Sequence, residues 1–199
     1  MREAKLRRFH EKEQNIAQGA FLACMTTAIL LYDFLLPLKV ISDSMSPTLK
    51  TGDQVLVNEM AYGLRLPFKR SPIIHRRPAR GDICILRTSP DFRSAPGWRT
   101  EEPRFYVKRI VGLPGDILMI KKGRIFINGH GLREPYVSAE MRGDDSIKSL
   151  RIPAGFCFLA GDARKISADS RGLGLALLRN VLGKVEAIYW PPSRLRWVR

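Results

Sequence analysis

The sequence is poor in the residues from which metal centres and disulfide frameworks are built. Its 199 residues include three cysteines and three histidines. Cys24, Cys84 and Cys157 do not follow a metal-ligand spacing, and they are too few for a disulfide framework. Cys84 and Cys157 lie within apparent strands, where a free thiol packs as a small hydrophobe, so we predict that they stay unpaired. We expect neither a metal ion nor another cofactor.

Negative charge is also scarce. The chain has 19 Asp and Glu residues against 34 Lys and Arg residues, which gives a net charge of +15. Such an excess favours partners with anionic surfaces, which are lipid headgroups or nucleic acid. The basic residues are spread along the whole chain, and no nucleic-acid-binding motif accompanies them. We therefore predict a lipid bilayer with anionic headgroups as a partner, and no nucleic acid.

One long hydrophobic run is present, at residues 16–32. Its length suffices for a membrane span, which needs about 17–25 residues. A cleaved signal peptide and a core helix of a soluble domain are the alternatives. Against cleavage, the apolar character resumes at Phe34, with no small-residue site followed by a polar start. Basic residues before the run place the N-terminus in the cytoplasm. We predict a single-pass protein of the cell (inner) membrane, with a cytoplasmic segment 1–15, a transmembrane anchor 16–33 and an extracytoplasmic domain 34–199.

The sequence after this anchor shows a β pattern and no long helical period. Three Gly-Asp pairs precede short apolar runs, and such a pair is typical of a tight turn at the start of a strand. The predicted strands are 54–57, 83–86, 105–111, 117–120, 124–127, 156–159 and 184–190. We predict a mainly β fold, with coiled antiparallel sheets in a barrel-like domain behind one N-terminal transmembrane helix. A polar stretch at about 128–150 is predicted to form a short excursion from this domain.

The histidines do not suit a serine protease triad. His10 precedes the hydrophobic run, His75 lies in a loop rich in proline and arginine, and His130 stands between two glycines. The Gly-x-Ser-x-Gly elbow of the α/β-hydrolases is also missing from the sequence. A Ser–His–Asp site remains open, although these positions disfavour it.

A serine-rich stretch at 41–49 offers a candidate nucleophile. Three serines in five residues compete for local backbone hydrogen bonds, and Pro47 forces an extended Ser46. The stretch is therefore predicted to be irregular, with Ser44 presented at a strand end. A serine hydroxyl is a weak nucleophile until a neighbouring base takes its proton.

Lysine is a candidate for that base. In the strand at 105–111, alternation places Lys108 on one face between the apolar Tyr106 and Ile110. Burial there would lower the pKa of the lysine from about 10.4 toward 7–8, which would make its neutral amine a base for a serine. Taken alone, Lys108 would also fit an ordinary solvated surface lysine.

A third stretch, 161–171, follows an apolar strand and combines a turn, two hydroxyls and an Asp/Arg pair. By itself it would also fit a polar loop with a surface ion pair.

In order along the chain, the three motifs read Ser-x-Ser-Met-x-Pro-Thr-Leu-x-x-Gly-Asp, Tyr-Val-Lys-Arg-Ile-Val-Gly-Leu-Pro-Gly-Asp and Gly-Asp-x-Arg-x-x-Ser-x-Asp-Ser-Arg. With one hydrophobic run before them, they resemble the bacterial type I signal peptidases. These are membrane-anchored Ser/Lys endopeptidases that remove the signal peptides of exported preproteins.

The resemblance implies that 34–199 is a catalytic domain and assigns roles within all three motifs. Ser44 would be the nucleophile and Lys108 the general base, and the backbone N–H of Ser44 would contribute to the oxyanion hole. The supporting roles would be an oxyanion-hole hydroxyl for Ser42, orientation of the lysine for Ser167, shaping of the loop for Asp169 and Arg171, and lining of the substrate cleft for Met45 and Tyr106.

Three features depart from the family pattern. Asp43 stands where the family often has glycine, so its carboxylate must point away from Lys108, or it would keep the amine protonated. Ala163 stands where the family usually has asparagine, so a side chain that stabilises the turn is missing. The excursion at about 128–150 is short, which implies that the family's second, variable domain is reduced.

Other functions stay open at this point. Mitochondrial inner-membrane peptidases and conjugation-linked peptidases are processing enzymes with the same Ser/Lys chemistry. Self-cleaving repressors also use it, but they need a DNA-binding region, for which no residues remain here. From a different class, the chain could be a non-catalytic, membrane-tethered basic β domain that binds lipid or protein partners.

Overall fold

The computed structural model describes residues 13–26, 35–63, 76–88, 95–102 and 104–198. Contacts divide the chain into two units, Met1–Leu36 and Pro37–Arg199. In the first unit, residues 13–26 form a helix, α1, which covers the first part of the predicted anchor 16–33. The remainder of that anchor, 27–33, lies outside the described residues. Within the described ranges, no helix combines the length and the apolar character that a membrane crossing requires.

The second unit is built mainly from antiparallel strands, as the Gly-Asp turns and short apolar runs predict. The strands are β1 (Leu35–Lys39), β2 (Gln54–Asn58), β3 (Ile83–Thr88), β4 (Arg104–Gly112), β5 (Ile117–Lys121), β6 (Arg124–Ile127), β7 (His130–Gly131), β8 (Ile147–Arg151), β9 (Phe156–Ala160), β10 (Ala176–Leu177), β11 (Val181–Trp190) and β12 (Arg196–Trp197). One short helix, α2 (Ser170–Leu173), follows β9. The pairings among β2 to β12 are antiparallel.

The strands form two sheets. The larger sheet has the order β1-β2-β11-β3-β4-β9-β10, with β12 beside β11, and the smaller has the order β7-β6-β5-β8. Bulges in β11 interrupt its register with β2, and a bulge is a feature that increases the local twist of a strand. The barrel-like closure that we predicted is not found among the described strands. The path ends at β1 and β10 without a pairing between them, and β10 is only two residues long, too short to close a ring.

The three Gly-Asp turns have one shared geometry. Gly52, Gly81 and Gly115 have φ of +95°, +97° and +90°, a region that glycine enters without steric cost. In each turn the following aspartate accepts a hydrogen bond from the backbone N–H three residues before it, at 2.7–2.8 Å. A strand begins immediately after each of these aspartates. The Gly-Asp turn therefore determines the residue at which β2, β3 and β5 begin.

Two hydrophobic clusters lie on opposite faces of β4 and β9. Ile110 and Leu159 belong to one cluster, and Val111 and Phe158 belong to the other. Because both strands are buried on both faces at these positions, they form a rigid base for the residues that follow or flank them. Cys84 and Cys157 are free, fully buried thiols, as predicted.

The stretch that we predicted to be a polar excursion at about 128–150 returns to the smaller sheet. It begins at β7 and ends in β8, which pairs with β5. The sequence did not predict β8, because Ile147 and Leu150 are its only apolar residues and are not in strict alternation. The excursion is thus joined at both ends to the second hydrophobic cluster.

Candidate active site

The serine-rich stretch forms a loop that is closed at its base. Val40 N donates to Asp53 O at 2.8 Å, and Gly52 N donates to Val40 O at 2.9 Å. Between these bonds the chain makes a short 3-10 turn at Asp43–Met45. Ser46 is extended, with φ of −64° and ψ of 141°, as a residue before proline must be. The irregular backbone that the sequence predicts is confirmed, and it buries the side chain of Ser44.

Ser44 and Lys108 meet in a buried hydrogen bond. Lys108 Nζ donates to Ser44 Oγ at 2.7 Å, and the two residues are only 3% and 8% exposed. Lys108 lies on β4 opposite Cys84 of β3, and its amine is 5.9 Å from the centroid of the Tyr106 ring. The fold therefore brings together two residues that are 64 positions apart and leaves little of either side chain exposed.

The environment of Lys108 favours its neutral form. Burial lowers its pKa from 10.5 to about 8, although the negative charge of Asp169 acts in the opposite direction. Among the described residues, no carboxylate forms an ion pair with Nζ. An amine with such a pKa can lose its proton near neutral pH and then accept the proton of a hydroxyl that lies against it.

The carboxylate beside the serine points elsewhere, as the sequence requires. Asp43 Oδ1 accepts a hydrogen bond from Thr51 N at 2.9 Å, and this bond lowers the pKa of Asp43. The carboxylates that act most strongly on the pKa of Lys108 are those of Asp169 and Asp162. Asp43 is therefore fixed in a position that leaves the lysine free to lose its proton.

The two donors proposed for an oxyanion hole are joined to each other in this structure. Ser44 N donates to Ser42 Oγ at 3.3 Å, a long hydrogen bond. Ser42 is exposed, so its hydroxyl can rotate without disturbing the core. An oxyanion would need the Ser44 N–H for itself, so a bound substrate must displace this bond.

The third motif packs directly against the backbone of Ser44. Ala163 N donates to Ser44 O at 3.1 Å, so the main chain supplies a contact although Ala163 has no side chain to cap the turn. At Gly161, a Cβ atom would collide with Ser44 O and with Ser167 Oγ. Only glycine allows this close approach. The loop is thereby held against the main chain of Ser44.

The predicted Asp/Arg pair forms and shapes this loop. Arg171 Nε donates to Asp169 Oδ1 at 2.8 Å, and Asp169 Oδ2 accepts from Gly161 N at 2.9 Å. The Ser167 hydroxyl, in contrast, is a buried oxygen without a hydrogen-bond partner among the described residues. A bond from Ser167 to Lys108 Nζ is not formed in this structure, and the orienting role of Ser167 stays a prediction.

A cavity of about 630 Å³ opens over Ser44 and Lys108. One wall comes from the end of β1 and the residues after it, 38–42, and another comes from the start of β4, 104–108. Met45 and Tyr106 are part of the lining, as the resemblance implies, and their contact with a substrate stays a prediction. Its lining is mainly apolar, as is usual for a cavity that binds a ligand, and it includes Ser44 and Lys108.

The sequence did not show how the three motifs are fastened together. The guanidinium of the buried Arg109 forms two bonds to Asp162, at 2.9 and 2.8 Å, and a third to Gly81 O at 2.7 Å. Thr48 Oγ1 donates to the same carboxylate at 2.5 Å. All three motifs therefore meet at Asp162. Thr48, Arg109 and Asp162 each lie within one of the three motifs, but the pairing between motifs cannot be read from spacing.

Comparison with known proteins gives a consistent result. The family model described as signal peptidase, peptidase S26, matches residues 14–190. The signal peptidase I of Pseudomonas aeruginosa is 31% identical over 217 residues, which cover 88% of this chain and 73% of that protein. The signal peptidase I P of Bacillus subtilis subsp. natto is 31% identical over 199 residues, which cover 94% of this chain and 95% of that protein.

A plant protein and a solved structure are also similar. The chloroplastic thylakoidal processing peptidase 1 of Arabidopsis thaliana is 31% identical over 180 residues, which cover 90% of this chain and 49% of that protein. A crystal structure of a signal peptidase I from Enterococcus faecalis V583 is 28% identical and covers 55% of this chain and 97% of that one, with a TM-score of 0.42. The resemblance predicted from the three motifs is confirmed: this chain belongs to the signal peptidase family, peptidase S26.

Proposed function

We propose that this chain is a serine endopeptidase that removes N-terminal signal peptides from exported preproteins, with Ser44 as nucleophile and Lys108 as general base. One observation carries the proposal. It is the 2.7 Å contact between Lys108 Nζ and Ser44 Oγ in a buried setting, where the pKa of the lysine is lowered to about 8. A non-catalytic binding domain would not need a buried lysine amine of lowered pKa against a serine hydroxyl.

The mechanism follows from this contact. Neutral Lys108 accepts the proton of Ser44 Oγ while that oxygen attacks the carbonyl carbon of the scissile bond. The Ser44 N–H and the rotated Ser42 hydroxyl stabilise the oxyanion. Lys108 then gives its proton to the leaving amine, which is the new N-terminus of the mature protein. In the second half, Lys108 takes a proton from the water that attacks the ester carbonyl carbon, and it gives this proton to Ser44 Oγ as the ester bond breaks. The signal peptide leaves with a new carboxyl terminus, and the free hydroxyl of Ser44 is restored.

The cleft suits a substrate in extended conformation. β1 is the end strand of the larger sheet, so a peptide beside it could pair with its free edge. In an extended peptide alternate side chains point the same way, and the first and third residues before the cut would enter the cavity. We propose that Met45 and Tyr106 form part of its wall, which restricts these positions to the small residues of an Ala-x-Ala signal.

The proposed location is the cell membrane, with the N-terminal segment 1–15 in the cytoplasm and the catalytic domain 34–199 outside. The support is the hydrophobic run at 16–32 and the net charge of +15. Both would hold the site near the bilayer, where the hydrophobic part of a signal peptide already lies, and such tethering raises the effective concentration of substrate. The 31% identity to a chloroplastic thylakoidal peptidase makes processing inside an organelle the second candidate.

The test is cleavage of a preprotein with an Ala-x-Ala site by the purified full chain in detergent. We expect the unmodified protein to cut at that site, and Ser44→Ala and Lys108→Met to abolish cutting. The matched controls are Ser193→Ala and Lys121→Met, which remove the same groups from exposed positions outside the cavity lining and should cut normally. Full cleavage by either Ser44→Ala or Lys108→Met would refute the proposed dyad.

A further inference from the structure

Two carboxylates of the excursion 128–150 hold two arginines of the loop 161–171. The Glu134 carboxylate pairs with Arg164, and both side chains are almost completely buried, at 1% and 2% exposure. Asp145 accepts from Arg171 Nη1 at 2.5 Å. The excursion therefore reaches the loop that packs against Ser44. None of the roles proposed above for the family motifs explains these contacts.

Arg164 passes the restraint on to the nucleophile. Its Nε donates to Gly161 O at 2.8 Å, while Arg171 Nη2 donates to Arg164 O at 2.6 Å. Gly161 lies against Ser44 O, and Ala163 N donates to the same oxygen. A continuous set of hydrogen bonds thus runs from Glu134 through Arg164 and the loop main chain to the peptide group that follows Ser44.

The excursion also holds the loop from its other side. Lys165 N donates to Met141 O at 3.2 Å. The Tyr136 ring lies over the Arg109 guanidinium, with 3.8 Å between its centroid and Arg109 Cζ, and Arg109 binds the loop residue Asp162. The loop is therefore fixed on both sides of Gly161 by residues of the excursion.

Neither stability nor substrate binding accounts for the Glu134–Arg164 pair. Taking two charges out of water is costly, and a well-packed apolar pair often stabilises a protein as well or better. What an apolar pair could not supply is the bond from Arg164 Nε to Gly161 O. Glu134 and Arg164 are not among the described residues that line the cavity, so they would not contact a peptide bound there.

We propose that Glu134 and Arg164 are positioning residues, which brace the loop 161–171 against the carbonyl oxygen of Ser44 and so hold the main chain that carries the Ser44 hydroxyl in place. The excursion is then a working part of the catalytic site rather than a dispensable insertion. This inference rests on the proposed function, because it assigns the brace a role in peptide cleavage.

The first test is Glu134→Gln, which keeps the shape of the side chain and removes its charge. Misplacement of a reacting group by about 1 Å can lower a rate up to about 100-fold, so we expect kcat for the preprotein to fall by about 10- to 100-fold. KM should change by less than about twofold, because the substrate contacts are untouched. The pH midpoint of cleavage should stay where Lys108 sets it. A wild-type kcat in folded Glu134→Gln overturns the proposal.

A double variant separates positioning from stability. In Glu134→Leu with Arg164→Met, the buried charges are gone together, so the protein should fold with a Tm at or near that of the unmodified chain. Its kcat should still be reduced, because no group donates to Gly161 O. Normal kcat overturns the proposal, and so does failure of this variant to fold, which would make the pair merely structural. The control is Lys184→Gln, which breaks the Lys184–Asp82 pair away from the loop and should keep its kcat.

Amide hydrogen exchange provides a measurement that does not need activity. Loss of the brace should speed exchange of the Ala163 N–H, which is bonded to Ser44 O, and leave the amides of β11 unchanged. If the unmodified protein does not cut the preprotein, the proposed function fails while this measurement still decides whether the brace exists. Unchanged exchange at Ala163 in both variants overturns the brace itself.

Discussion

The pH dependence of cleavage is the most direct consequence of the Lys108 environment. With a pKa of about 8, about a tenth of the lysine is neutral at pH 7 and about half at pH 8. A lysine with the ordinary pKa of 10.5 would be neutral to only about 0.03% at pH 7. Burial thus raises the amount of competent base at pH 7 by roughly 300-fold.

The assay is kcat/KM for the detergent-solubilised full chain between pH 5.5 and 10. Below the pKa, log kcat/KM should rise by about one unit per pH unit, and it should level off above about pH 8, because only the neutral amine accepts the serine proton. Circular dichroism at each pH would confirm that the protein stays folded. A profile that is flat from pH 6 to 9, or one with its midpoint near 6.5 as for an ordinary histidine, would refute this reasoning.

A substitution tests whether desolvation is the cause of the shift. Tyr106→Ala removes the ring beside the amine and admits water, so the pKa of Lys108 should rise toward 10.5 and the ascending limb should move to higher pH. Phe105→Ala is the matched control on the other face of β4, where the side chain is 52% exposed. It should affect KM alone. Equal midpoints for Tyr106→Ala and the unmodified protein would contradict the assignment of burial as the cause.

Two further results are expected. Lys108→Met should raise the free energy of unfolding at pH 7 by about 2 kcal/mol. Keeping the lysine at a pKa of about 8 instead of 10.5 destabilises the folded protein by about 3 kcal/mol, and the substitution removes this cost. The substitution also removes the hydrogen bond to Ser44, which lowers the stability by about 1 kcal/mol. The pKa of Lys108 is lower in the folded protein than in the unfolded chain. The gain in stability on removing the lysine should therefore be complete below pH 8 and disappear as the pH rises to 10.5. Denaturant titrations at pH 7 and 10 would measure it, and a less stable Lys108→Met at pH 7 would contradict it. Gly161→Ala should lower kcat more than tenfold because its Cβ would displace Ser44 O, whereas Gly172→Ala, which has open space around it, should cut normally. Equal kcat for these two glycine variants would rule out the close approach.

The parts of the site that could be predicted from sequence are those encoded within one segment. Alternation along β4 placed Lys108 beside Tyr106, and the Gly-Asp turns placed the starts of three strands. The same alternation did not show that Arg109, on the other face, would also be buried. Arg109 is buried because the fold has a hydrophobic core on each side of β4, and its positive charge is paired there with the carboxylate of Asp162.

The parts that could not be predicted depend on contacts between segments. Glu134 reads as one more polar residue in an excursion of polar residues, and only the fold shows Arg164 against it. The missing closure of the larger sheet has a similar origin, because strand order depends on pairing partners that a local pattern does not specify. The orienting role of Ser167 stays a prediction, because its hydroxyl makes no bond to the lysine in this structure.

The two members of the proposed dyad differ in how firmly the fold holds them. Lys108 stands where β4 is enclosed on both faces, whereas Ser44 belongs to a 3-10 turn of three residues in an irregular loop. We therefore expect thermal fluctuations that separate the pair to begin in the turn. The enzyme would then lose activity on warming through loosening of that turn, well before the sheet melts. Thermostable variants of this chain would best be sought in the serine loop and its supports, and not in the hydrophobic clusters.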